Sequence, residues 1–205
     1  MMTALASGLL LGLSCGLAPG PLMTLVLAQT LRHGPREGCK IALAPFVTDA
    51  PIILLALALA AGVAEFQKVL GCLSVAGGIF VLYLAWDTFR PARVAPEASD
   101  TPPRSWAKGV LANLLNPHPW LFWLTVGAAT LAKAMAASGL AAAAFLGAFY
   151  LMLVGSKLLL ALMAGRSREW LAGRPYRWVM RALGVLLAVF AALLFREGLK
   201  HFAVT

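Results

Sequence analysis

Apolar stretches of twenty or more residues recur along the chain, separated by short segments that hold most of its charge. About 20 apolar residues in a helix match the hydrocarbon core of a bilayer. Within lipid every backbone N–H and C=O needs a partner in the protein, so only helices and closed barrels span it. These runs are continuous rather than alternating, which selects helices. Composition agrees: 61% of the 205 residues are hydrophobic and 12% are charged, whereas a soluble domain carries about 25% charged residues. The sequence therefore predicts an all-α integral membrane protein of six transmembrane helices. Their approximate ranges are 4–31, 41–63, 66–89, 106–132, 140–164 and 178–199.

A net charge of +9 would suggest a nucleic-acid partner in a soluble protein. Here the basic residues cluster at the ends of apolar runs, as membrane topology demands, so no nucleic-acid role is expected. Arg32, Arg36 and Lys40 follow the first helix, and Arg90, Arg93, Arg104 and Lys108 follow the third. Arg166, Arg168, Arg174, Arg177 and Arg181 follow the fifth. These twelve share one face, against Lys68, Lys133, Arg196 and Lys200 on the other. The richer face is expected in the cytoplasm of a bacterial inner membrane, with both termini outward. The first apolar run has no basic residue before it, so it is expected to stay as a membrane helix rather than act as a cleaved signal. Cys15, Cys39 and Cys72 have neither disulfide nor metal-site spacing.

Three helices, a linker and three more helices suggest a duplication. The expected units are residues 1–90, a Pro-, Ala- and charge-rich cytoplasmic linker at 91–104, and residues 105–205, all in one membrane domain. With three helices per half, the second repeat must be inverted. Leu17-Ala18-Pro19-Gly20-Pro21-Leu22 interrupts the first helix, and Leu115-Asn116-Pro117-His118-Pro119-Trp120 interrupts the fourth. Proline removes a backbone donor and clashes with the preceding turn, so each Pro-X-Pro should unwind about one turn. Paired broken helices in inverted repeats mark the substrate sites of many secondary transporters. Each half-helix after a break would aim its positive end and free N–H groups at the midplane, a setting for a carboxylate. Pro19, Gly20, Pro21, Asn113, Asn116, Pro117, His118 and Pro119 are thus the candidate substrate-binding residues. A plain proline kink is the structural alternative.

Two ionisable residues lie inside predicted spans, Asp49 in the second helix and Lys157 in the fifth, at corresponding depths in the two halves. An unpaired charge at a helix centre costs about 2.5–3.5 kcal/mol. They are expected to pair or to line one aqueous cavity, in a structural or a coupling role. His118 is either functional or a polar filler. Gly8, Gly12, Gly16 and Gly20 recur every four residues, and helix five has a looser version in Gly139, Ala143, Gly147 and Gly155. Such spacing lets helices pack closely, and is compatible with a homodimer. Trp120, Phe122 and Trp123 read as packing or lipid-facing residues, and Trp106, Trp170 and Trp178 as interfacial anchors.

The chain resembles the LysE/RhtB family of bacterial exporters. The resemblance rests on the Gly-rich first helix running into Ala18-Pro19-Gly20-Pro21, on Arg32-His33-Gly34-Pro35-Arg36-Glu37-Gly38, and on Gly109-x-x-x-Asn113-x-x-Asn116-Pro117. It implies a transporter rather than an enzyme, exporting amino acids or related small metabolites on the proton or another ion gradient, with no cofactor. Family members often place Lys after Asn-Pro, where His118 stands here. The family's second helix is commonly Gly-rich, where this chain has Ala44, Pro45 and Asp49. The same superfamily holds metal exporters and thiol-disulfide carriers. A divalent-metal exporter would lack an intramembrane acidic cluster here, and a thiol carrier would lack a cysteine in the second half. No nucleotide-binding loop or hydrolase motif is present.

Overall fold

The computed structural model describes residues 1–58, 63–89, 103–167 and 174–203 of the chain. Every regular element among them is helical. Helix α1 (Met2–Leu17) and α2 (Pro21–His33) form the first span, bent by 62° at the break. Helices α3 (Pro35–Ala42) and α4 (Ala44–Ala58) form the second, and α5 (Val63–Phe89) the third. Helix α6 (Ser105–Leu114) and α7 (Pro117–Phe122) precede a π-helical turn (Trp123–Gly127), which leads into α8 (Ala128–Ala137). Helices α9 (Gly139–Arg166) and α10 (Arg174–Ala203) complete the described chain. Among the described residues, five helices are long and apolar enough to cross a membrane, and the bent α1–α2 pair makes a sixth. Leu10, Leu54, Ile79, Leu151 and Leu159 are among the large apolar side chains turned outward. That exposure would be unfavourable in water and suits lipid.

The helix starts have local causes. Residues before proline avoid the α region. Ala18 (ψ 123°), Gly20 (φ −168°, ψ 177°) and Asn116 (ψ 123°) all precede proline, and all are extended. The first break thus unwinds Ala18–Gly20, about the expected turn, and the second only residues 115–116. The second span begins earlier than the expected residue 41. Gly34, at φ 99°, turns the chain in one residue, and Pro35 opens α3 at the position where its missing N–H is harmless. Arg36 and Lys40 are therefore helical, not loop, residues. Of the expected linker 91–104, only residues 103 and 104 are described; Arg90, Arg93, Arg168 and Trp170 also lie outside the described residues.

Two close helix pairs frame the molecule. In the first, Gly8, Gly12 and Gly16 of α1 bring its backbone onto α9. A Cβ at Gly12 would lie 2.8 Å from Phe149 Cα, and one at Gly8 would lie 2.9 Å from Ala148 Cβ. The looser series in α9 does not pack in this way: nothing lies within 4 Å of a Cβ added at Gly139, Gly147 or Gly155. In the second pair, α5 and α10 interlock reciprocally. Gly78 lies beneath the Phe195 ring, and Gly184 beneath that of Phe89. Between the pairs, α2, α3, α4, α6 and α7 bury Leu25, Val26, Ile41 and Ile52 completely. Gly109 lets α6 approach Ile41 of α3, where an added Cβ would be 2.9 Å from its Cα.

Candidate functional site

The two breaks and both intramembrane charges meet at one cavity of about 250 Å³. Pro19, Gly20, Pro21 and Leu22 line it from the first break, and Asn116, His118 and Pro119 from the second. Asp49, Asn113 and Lys157 complete its polar wall; Cys15, Phe122, Trp123 and Phe149 contribute much of the rest. Of the ten residues singled out in the sequence, nine are in the lining. Pro117 is buried outside it.

Asp49 is 3% exposed and faces four neutral donors. Its Oδ1 accepts from Asn113 Nδ2 at 3.0 Å and from Thr48 Oγ1 at 3.5 Å. Its Oδ2 accepts from Trp123 Nε1 at 3.3 Å and from Tyr150 OH at 3.4 Å. Asn113 Nδ2 also reaches Thr48 Oγ1 at 2.6 Å, tying α6 to α4. The carboxylate is therefore solvated by dipoles from four elements and not by a cation. Lys157, 4% exposed, is held differently. Its Nζ donates to the carbonyls of Gly16 (3.1 Å), Cys15 (3.3 Å) and Leu153 (3.4 Å). Two of these belong to the last turn of α1, whose carbonyls the break deprives of helical partners. The ammonium also meets the negative end of that helix dipole. No ion pair joins Asp49 and Lys157; of the two expected arrangements, they adopt the shared cavity.

The second break is closed by an aromatic side chain. Trp120 Nε1 donates to the Leu114 carbonyl, at the end of α6, at 2.9 Å. Its new helix start also differs from the expectation. Pro117 and Pro119 have no N–H, and that of His118 donates to Asn116 Oδ1 at 3.1 Å. The start of α7 thus caps itself and offers no free donor. The start of α2 has no side-chain cap, so the N–H groups of Leu22 and Met23, both at the cavity, retain donor capacity. Gly20 meets nothing within 4 Å of an added Cβ, leaving that end open. The expected pair of convergent positive ends is in fact one open end and one capped end.

Trp123 and Tyr150 are the aromatic residues bonded to Asp49 that the sequence did not assign to the site. Trp123 is fully buried, not lipid-facing, and stacks edge-on to Phe149 at 5.3 Å between centroids. Aromatic residues abound in membrane helices, so only their side-chain bonds to Asp49 distinguish these two.

A break flanked by buried opposite charges suits passage of a polar solute, and comparison with known proteins agrees. The LysE type translocator family matches residues 13–198. The chain belongs to this family. LysE type translocators are membrane exporters of small solutes and not enzymes. The chain is also similar to the "Uncharacterized membrane protein YahN" of Escherichia coli (strain K12), with 26% identity over 197 residues, covering 89% of this chain and 85% of that one. No solved structure matches this translocator. The matched region includes both breaks, Asp49 and Lys157, so the whole cavity lies within what the family shares in length.

Proposed function

We propose that this LysE type translocator exports amino acids or closely related small metabolites across the bacterial inner membrane, driven by the proton gradient. The observation that carries the reading is the shared cavity of Asp49 and Lys157, two buried opposite charges without an ion pair between them. A zwitterion fits such a wall. Its ammonium would meet the Asp49 carboxylate beside the Trp123 and Phe149 rings. Its carboxylate would meet the Leu22 and Met23 N–H groups at the open end of α2, with the Lys157 charge nearby. At roughly 30 Å³ per water, the cavity holds the volume of about eight waters, the scale of a small amino acid. Asp49 would take up and release the coupling proton as its donors change.

Alternating access follows from an inverted repeat, and the packing supports one. A two-fold axis in the membrane plane would exchange spans one and four, two and five, and three and six. Under it the α5–α10 pair maps onto itself, and the α1–α9 contact maps onto the contact of α4 with the α6–α8 run, both of which occur.

The test is efflux from proteoliposomes loaded with radiolabelled lysine, threonine, leucine or glutamate, with and without an imposed proton gradient. One class should leave faster with the gradient. Asp49→Asn should abolish the stimulation, and whatever exchange of labelled for unlabelled substrate it retains should be indifferent to the gradient. Full stimulation in that variant would sink the coupling role, and no efflux of any of the four would sink the substrate class.

A further inference from the structure

Trp123 opens the π turn, in which the Ala128 N–H donates to the Trp123 carbonyl five residues back rather than four. Such turns insert one extra residue into a helix and redirect the side chains around it. Here the redirected side chain is an indole that ends fully buried against Asp49. Two further residues of the turn fit this arrangement. A Cβ at Gly127 would lie 2.5 Å from Trp123 Cε3, 2.9 Å from Phe122 Cε1 and 3.0 Å from Trp123 Cδ2, so the indole, with Phe122 beside it, occupies the space where a side chain would be. The Thr125 hydroxyl donates to the Leu121 carbonyl at 2.6 Å, a local bond that supports an irregular helix. The ring itself is held edge-on by Phe122 and Phe149, at 5.2 and 5.3 Å between centroids.

We propose that Trp123 is a positioning residue for Asp49, and that Gly127 is the residue that admits it; this rests on the reading of Asp49 as the coupling carboxylate. The two carboxylate oxygens are divided between two pairs of donors. Asn113 and Thr48 hold Oδ1, while Trp123 and Tyr150 hold Oδ2. Without the indole, Oδ2 keeps only the longer bond from Tyr150, and the carboxylate turns away from the orientation it presents to the cavity. Packing alone would not require the indole nitrogen. Nor would it require that the helix wind one residue out of register to deliver it.

The experiment uses the full-length chain in proteoliposomes with the amino acid that the wild type exports fastest among lysine, threonine, leucine and glutamate. Gradient-driven efflux and gradient-free exchange are both measured for Trp123→Phe, Gly127→Ala, Trp123→Leu and the Trp123→Leu/Gly127→Ala double variant. Loss of one hydrogen bond to a charged group predicts about a tenfold fall in gradient-driven efflux for Trp123→Phe and for Gly127→Ala. Because Trp123 also lines the cavity, the readout is the ratio of driven efflux to exchange, which should fall while exchange falls less. In the Trp123→Leu background, where only the Phe122 contact at 2.9 Å remains, Gly127→Ala should have a clearly smaller effect. A parallel fall of exchange and driven efflux would overturn the proposal, because a packing defect alone does that. An equal effect of Gly127→Ala with and without the indole would overturn the role of Gly127. A wild type indifferent to the gradient overturns the coupling reading itself, and this control is read before any variant.

Discussion

Lys157 sits where an ammonium does most for a broken helix. Its three bonds go to main-chain carbonyls, two of them at the end of α1. Lys157→Met keeps the length of the side chain and removes every donor. Bonds to charged groups are worth about 1.5–3 kcal/mol each in net terms, and part of that is recovered if water enters the cavity. The expected result is a thermal midpoint in detergent lower by roughly 5 °C, with gradient-driven efflux also reduced. An unchanged midpoint would mean that the carbonyls of Cys15 and Gly16 are satisfied without the ammonium. The residue was legible in the sequence because a charge inside an apolar run needs a reason. Its partners were not, because carbonyls carry no sequence identity. The expectation of an Asp49–Lys157 pair was an economy of charges, and the fold meets the same need with dipoles on each side.

At the scale of elements, glycine has two distinct roles in the first span. Gly12 is a contact: a Cβ there would meet main-chain atoms of Phe149, with Cα at 2.8 Å and C at 2.9 Å. Backbone cannot yield as a side chain can, so Gly12→Ala should force α1 off α9 and disturb Phe149 in the cavity wall. Overpacking of this kind destabilises by about 1–3 kcal/mol, to be read as a lower thermal midpoint and a broadened elution profile. Gly20→Ala should fold normally, since it meets nothing within 4 Å and its extended backbone suits any residue. It should instead slow efflux by narrowing the open end of α2. Equal stability losses in both variants would refute the distinction. The repeat of glycines alone did not separate these roles, nor did it show that the series in α9 faces no neighbour. Helix boundaries failed for a related reason. Polarity reports where a helix leaves the hydrocarbon, not where it ends, so Arg36 and Lys40 resembled a loop although α3 had begun at Pro35. The π turn left no trace, since it consists of a backbone bond from Ala128 to Trp123 that no residue type announces.

For the whole molecule the open matter is orientation, and one end of the bundle supplies an argument. At the basic end, Asp87 of α5 accepts from Lys108 of α6 at 2.7 Å, and lies 3.3 Å from Arg32 of α2. The Arg32 guanidinium also donates to the Asp87 carbonyl at 2.7 Å. Three helices, α2, α5 and α6, are thus tied at this end, and some of the basic residues serve structure as well as topology. The rule that basic residues mark the cytoplasmic side counts residues near span ends, whatever their local partners. It places Arg36 inside and Lys133 outside, and both side chains are exposed. In a background with Cys15, Cys39 and Cys72 replaced by Ala, Arg36→Cys should resist a membrane-impermeant maleimide in intact cells and label after permeabilisation. Lys133→Cys should label in intact cells. The opposite pattern would invert the chain and, with it, the side from which the cavity loads, so transport assays in vesicles of known sidedness should then reverse as well. Labelling of both positions in intact cells would mean that Arg36 and Lys133 lie on the same side of the membrane. The six-span arrangement itself would then be wrong, because an odd number of crossings must separate these two residues in it.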